Sequence, residues 1–153
     1  GTAMNGCPAD TVVYALASLY PADAPPHVVL SGINEGQNVS RPIATRVSGT
    51  VGAARTAGRN GIPALAVSQG SPAPGGSYEY ATAVATTLDW LEEHRDALVA
   101  GEVAPDPIDS INVPSCAPGL EVRGLLAGLP LATLGNGAFD AQDCASTLAA
   151  PRD

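Results

Sequence analysis

The sequence predicts an α/β fold, a Rossmann-like three-layer αβα sandwich, and three observations carry that expectation. The first is the apolar run His27-Val28-Val29-Leu30, which breaks into Ser31-Gly32-Ile33-Asn34-Glu35-Gly36-Gln37-Asn38. It reads as a buried strand ending in a polar loop. The second is Ser48-Gly49-Thr50 leading into the small and apolar run Val51 to Ala57, stopped at Asn60-Gly61. Ser48 is placed as a helix N-cap and Gly61 as a C-terminal stop. The third is Ile62-Pro63-Ala64-Leu65-Ala66-Val67, a second apolar strand. Strand, loop, helix and strand make one βαβ crossover, with the polar loop at the carboxyl end of the first strand, where open α/β sheets place their ligands.

The remaining elements are read around this unit. Cys7-Pro8-Ala9-Asp10 leads into a packing helix over Thr11 to Tyr20, with Val12, Val13, Leu16, Leu19 and Tyr20 on one face, Asp10 as its cap and Pro21 forcing its end. Pro21 to Pro26 is a turn-rich connector, and a lone histidine at position 27 is more often structural than a base. Gln69 to Ser77 is a Pro/Gly/Ser linker. From Tyr78 to Ala100 the residues Ala81, Val84, Ala85, Leu88, Leu91 and Leu98 recur at helical intervals, which predicts a helix of about six turns. Trp90 and His94, four apart, should share a side of it. Gly101 stops this helix, and Ser110-Ile111-Asn112-Val113 returns as a strand. Beyond it, Leu120 to Arg123 and Leu129 to Thr133 alternate as edge strands would. The division expected is a core over 1–114 and a less regular carboxyl-terminal extension over 115–153.

Composition limits the function. The 153 residues are 45% hydrophobic and suit one domain with a packed core, and with aromatics at 4% that core is built from Ala, Val, Leu and Ile. The net charge of −8, with no lysine at all, argues against a nucleic-acid polymer as partner. No apolar run approaches the roughly 18 residues of a transmembrane helix, so no membrane partner is expected. Neither a basic n-region nor an apolar h-region opens the chain, so no signal peptide is visible.

The chemistry of the central stretch points to an anion. A helix N-terminus presents unpaired N–H groups and partial positive charge, Gly49 admits close approach, and the Ser48 and Thr50 hydroxyls can donate. The amide oxygen of Asn34 or Asn38 can join a metal's coordination shell, and the amide nitrogen can donate to a phosphate oxygen. Capping alone accounts equally for Ser48, and turn satisfaction for the two asparagines. Arg41 and Arg46 could reach a phosphate bidentately or simply be solvated.

Ser31-Gly32-Ile33-Asn34-x-Gly36-x-Asn38, Ser48-Gly49-Thr50-Val51-Gly52-Ala53-Ala54-Arg55 and Gly61-Ile62-Pro63-Ala64-x-Ala66-Val67-Ser68 together resemble the SurE family of survival-protein nucleotidases. Gly6-Cys7-Pro8-Ala9-Asp10 and Ile111-Asn112-Val113-Pro114 extend the likeness over most of residues 5–114. The segment Val39 to Val47 departs from the family's pattern, which leaves substrate selectivity open. The resemblance implies a divalent-metal-dependent phosphatase, using Mg²⁺ or Mn²⁺, that acts on nucleoside 5′- and 3′-monophosphates as a homodimer or homotetramer. It assigns Asn34 to the metal, and Asn38, Ser48, Gly49 and Thr50 to the phosphate. The paired aspartates of the family's Asn-Asp-Asp-Gly motif do not occur in this sequence, and both ends read as cuts. The expectation is a fragment that hydrolyses nothing by itself, with its catalytic aspartates upstream. The rival reading is a non-catalytic SurE-like binding or oligomerisation module.

Three cysteines remain. A Cys116–Cys144 bridge would close the Gly/Ala/Leu-rich segment and contribute on the order of 3 kcal/mol, which leans toward a secreted or periplasmic setting and leaves the cytoplasm as the alternative. Cys7 is then either paired upstream or a free thiol. No Cys or His spacing matches a zinc site.

Overall fold

Three parallel strands in the order β1 (Val29–Glu35), β2 (Ala64–Gln69), β3 (Asp109–Val113) form the central sheet. The computed structural model describes residues 5–36, 38, 48–72, 77–78, 80–113, 115, 120–122 and 144–146. Helices α1 (Pro8–Ser18) and α2 (Gly49–Arg59) cover one face of the sheet, and α3 (Tyr80–Ala100) covers the other.

Every residue of β2 is buried, as expected for the middle strand of a parallel sheet. Its side chains divide by the twofold periodicity of a strand. Ala64 and Ala66 join Val51, Ala54, Ala57, Ile62 and Ile108 beneath α2, while Leu65 and Val67 join Ala83, Trp90, Leu98, Ile111 and Val113 beneath α3. Where α2 crosses β2 the α2 side is built from alanines, Ala54 and Ala57 of the helix and Ala64 and Ala66 of the strand, which lets the helix lie close. Continuing the alternation, Ser68 falls on the α2 side and Gln69 on the α3 side.

Helices α2 and α3 end at the glycines the sequence predicts. After α2 the N–H of Ile62 donates to the Ala57 carbonyl at 3.0 Å and that of Gly61 to Gly58 at 2.9 Å. After α3, Glu102 donates to Ala97 at 2.8 Å and Gly101 to Leu98 at 3.2 Å. These are paired Schellman bonds, which need a left-handed residue at the turn, and Gly61 (φ 80°) and Gly101 (φ 71°) supply it.

The structure corrects several sequence-based expectations. The first strand does not stop at Leu30 but runs through Glu35, so Ser31 to Glu35 are strand rather than loop. The reason lies at Gly32: its φ of 138° and a register shift between Ser31 and Asn34 let the chain keep pairing, with Asn34 opposite Ser68 and Glu35 opposite Gln69. A Cβ at position 32 would stand 2.3 Å from the Val67 carbonyl oxygen, an approach only glycine permits.

In α1, Asp10 is not the cap; Cys7 is, and Asp10 reaches back three residues to accept its N–H at 2.9 Å. Hydrogen bonds from Cys7, the side chain first and the backbone second, hold the Asp10 carboxyl below its ordinary value. The helix ends at Ser18, ahead of Pro21, and only Val12 and Leu16 of the expected face pack inward, while Val13, Leu19 and Tyr20 are exposed.

In α3, which begins at Tyr80, the buried positions are Ala83, Thr86, Trp90 and Leu98, whereas Val84 and Leu88 are exposed. With apolar residues around most of the helix, the sheet selects the face on which small Ala83 and Thr86 allow close packing. The expected Trp90–His94 pairing is present, with ring centroids 4.4 Å apart and Trp90 Nε1 donating to Asp109 at 3.0 Å.

Leu120–Val122 (β4) pairs antiparallel with Cys144–Ser146 (β5), the latter not anticipated from sequence. The Leu129 to Thr133 strand, the Cys116–Cys144 bridge, Arg41 and Arg46 fall on or require residues outside those described. Cys7 is exposed and has no disulfide partner among the described residues. No helix among the described residues is long and apolar enough to cross a membrane.

Candidate functional site

At the carboxyl end of the sheet, three adjacent strands present a polar residue at the same level. Asn34 of β1 lies opposite Ser68 of β2, and Ser68 lies opposite Asn112 of β3. Asn38 is drawn onto this row. Its backbone N–H donates to Asn112 Oδ1 at 2.9 Å, across 74 positions of sequence, and its side-chain Nδ2 donates to Ser68 Oγ. Asn38 is 8% exposed and Ser68 is 1% exposed, so these bonds sit in a setting where an unpaired polar group would be costly.

Ser48 ties the row to α2. Its hydroxyl donates to Asn38 Oδ1 at 2.6 Å and accepts from the Val51 N–H at 3.2 Å, while its carbonyl accepts from Gly52 at 2.8 Å. The sequence-based N-cap is thus present, and it does two things at once. It satisfies the third and fourth amides of the helix, leaving those of Gly49 and Thr50 without a partner inside the helix. It also fastens the start of that helix to Asn38. The amides of Gly49 and Thr50 therefore carry the positive end of the α2 dipole beside an asparagine amide, a donor set suited to an anion.

Asn34 occupies a different place. It stands on β1 and donates from Nδ2 to the Gly36 carbonyl at 2.8 Å, which fixes the amide plane and assigns its Oδ1 as the acceptor end. One amide oxygen is a hard ligand of the kind a divalent cation takes, but it is one ligand only. Among the described residues no group of three or more His, Cys, Asp or Glu could hold a metal.

Asn38 and Ser48 are thus brought together, with Gly49 and Thr50 following directly in the chain, and Asn34 lies on the same polar row without a bond to them. Sequence reasoning missed Ser68 and Asn112. Their signal was alternation: Ser68 follows the apolar run of β2 on the Ala64-Ala66 side, and Asn112 follows Ser110 on the same side of β3. On the opposite face, also unanticipated, Tyr80 Oη donates to Glu35 Oε1 at 2.6 Å and its ring stacks on Tyr78 at 5.6 Å. That bond to Glu35 pushes the Tyr80 phenol up to about 12.

The chain is similar to known proteins in both sequence and fold. The family model described as Survival protein SurE matches residues 1–135. The chain is 36% identical over 136 residues to the 5′-nucleotidase SurE of Heliobacterium modesticaldum, covering 89% of this chain and 44% of that protein. Over a shorter stretch of 67 residues it is 54% identical to the 5′-nucleotidase SurE of Methanopyrus kandleri, covering 44% of this chain and 24% of the relative. The crystal structure of the SurE protein from Aquifex aeolicus superposes with a TM-score of 0.54 at 28% identity, over 73% of this chain and 41% of that one. The chain spans less than half the length of these relatives. On the family match over most of its length, the identity to these relatives and the shared fold, the chain belongs to the survival protein SurE family.

Proposed function

We propose that the full-length protein is a divalent-metal-dependent phosphomonoesterase acting on nucleoside 5′- and 3′-monophosphates, and that this chain supplies the phosphate-holding half of its site. The observation that carries the reading is the pair of amides at Gly49 and Thr50, left over by the Ser48 cap and bound through Ser48 to Asn38. Relatives named 5′-nucleotidase SurE support the nucleotide as substrate class.

In this reading Gly49 and Thr50 donate their N–H groups to phosphoryl oxygens, and Asn38 donates the second hydrogen of its Nδ2, the first being used on Ser68. Because these donors are set before substrate arrives, charge that builds on the phosphoryl oxygens meets oriented dipoles and needs little reorganisation. Asn34 Oδ1 would be one ligand of Mg²⁺ or Mn²⁺, with the remaining ligands supplied by residues beyond this sequence. Such an ion, when bound, supplies Lewis-acid polarisation of the phosphoryl group and an activated attacking oxygen.

The test is phosphate release from 5′-AMP and 3′-AMP by the full-length protein with Mn²⁺ or Mg²⁺, with and without EDTA. Turnover that EDTA abolishes is expected, and it should fall at least about a hundredfold in Asn34→Ala. No release from any nucleoside monophosphate under these conditions contradicts the proposal. The 153-residue chain alone is expected to be inactive, because a single amide oxygen does not hold such an ion tightly. Light scattering on the full-length protein should return a homodimer or homotetramer.

A further inference from the structure

We propose that Asn112 is a positioning residue for the phosphate site, acting with Ser68 to fix Asn38, and through Asn38 the start of α2, in the arrangement that receives the anion. The inference rests on the functional reading above and deepens it, since Asn112 lies outside the residues which that reading assigns to metal or phosphate.

The geometry separates three jobs. Asn112 Oδ1 takes the backbone N–H of Asn38, which sets where the residue sits. Ser68 Oγ takes one hydrogen of its Nδ2, which sets how the amide is turned. Ser48 Oγ then donates to Oδ1, which locks the amide against a flip and carries its position to the helix. With those three bonds made, one donor remains on Asn38, the second Nδ2 hydrogen, and its direction is set by the other three.

Asn112 is itself held. Its Nδ2 donates toward Ser110 Oγ at 3.4 Å, and Ser110 is 1% exposed within the same strand. Parallel strands buried on both faces are ordinarily apolar runs. Here β3 gives up two positions on its α2 side to Ser110 and Asn112, and β2 gives up Ser68, so that a residue outside the sheet can be fastened. A purely structural role predicts that any equal loosening of β3 would have the same effect. A positioning role predicts that only loss of the acceptor at 112 reaches the anion.

Two measurements on the full-length protein separate these. Inorganic phosphate affinity, read by calorimetry, is expected to weaken about tenfold or more in Asn112→Leu, which keeps the size and removes the acceptor. Hydrogen exchange of the segment containing Asn38 is expected to speed up in the same variant, and Asn112→Asp, which keeps an acceptor, should restore its protection. Ile111→Val is the control: it loosens the same strand on the α3 side and should leave phosphate affinity within about twofold of wild type. The proposal is overturned if Asn112→Leu changes neither phosphate affinity nor exchange, or if Ile111→Val weakens phosphate equally. Because both readouts need only binding, a wild-type protein that binds phosphate but releases none from nucleotides defeats the functional reading alone. A wild-type protein that does not bind phosphate defeats both.

Discussion

Ser48 is the residue on which helix stability and site geometry meet. Its hydroxyl caps α2 and holds Asn38, so Ser48→Ala should cost about 1 kcal/mol in urea unfolding and weaken phosphate binding as well. Ser48→Thr, which keeps the hydroxyl, should retain most of both. Gly32 is constrained by space rather than bonding. With φ at 138° and the Val67 carbonyl oxygen 2.3 Å from the place a Cβ would take, Gly32→Ala should destabilise by about 2 kcal/mol or more, measured by the same unfolding titration. Tyr80 gives a pH signature. Its phenol is raised to about 12 by donation to Glu35, so the stability from that bond is complete below the ordinary tyrosine value near 10 and is lost as pH rises through about 12. Ultraviolet titration should show one late-ionising tyrosine that disappears in Tyr80→Phe and moves earlier in Glu35→Gln. Ser48 was legible in sequence because capping is local chemistry. Ser68 and Asn112 were not, because their partner lies 30 and 74 positions away.

At the scale of elements, the βαβ unit was legible because its signals are short-range: an apolar run, a cap, a Gly stop and a second apolar run. The length of β1 was not. Polar and glycine residues after Leu30 imitate a loop, and only pairing with β2 reveals that Asn34 and Glu35 are still strand. The buried face of α3 was legible only in part, Leu91 and Leu98 facing the core but Val84 and Leu88 not, for a related reason. Its apolar residues spread around the helix, so the choice belongs to the sheet beneath, which takes Ala83, Thr86, Trp90 and Leu98. That packing makes Trp90 the anchor of α3, through its ring and its bond to Asp109. Trp90→Phe keeps much of the ring and leaves the carboxylate without that donor; a loss of about 1.5–3 kcal/mol is expected in thermal or urea unfolding. A loss below about 0.5 kcal/mol would show that the Asp109 bond contributes little.

At the scale of the whole molecule, the same sheet that builds the core also builds the site. The small residues under α2 bring its N-terminus down to the carboxyl end of β2, and there the apolar ladder gives way to Asn34, Ser68 and Asn112. The proposed phosphate-holding half-site rests on that handover, and under the same proposal the remaining metal ligands come from elsewhere in the full-length protein, this chain spanning less than half the length of its relatives. The family was legible in sequence because its motifs are the residues at this handover. The most direct test is a crystal structure of the full-length protein with phosphate and Mn²⁺. The account predicts phosphate oxygens at ordinary hydrogen-bond distance, about 2.7–3.2 Å, from the Gly49 and Thr50 nitrogens and from Asn38 Nδ2. An anion bound elsewhere, with those three nitrogens facing only solvent, would contradict it.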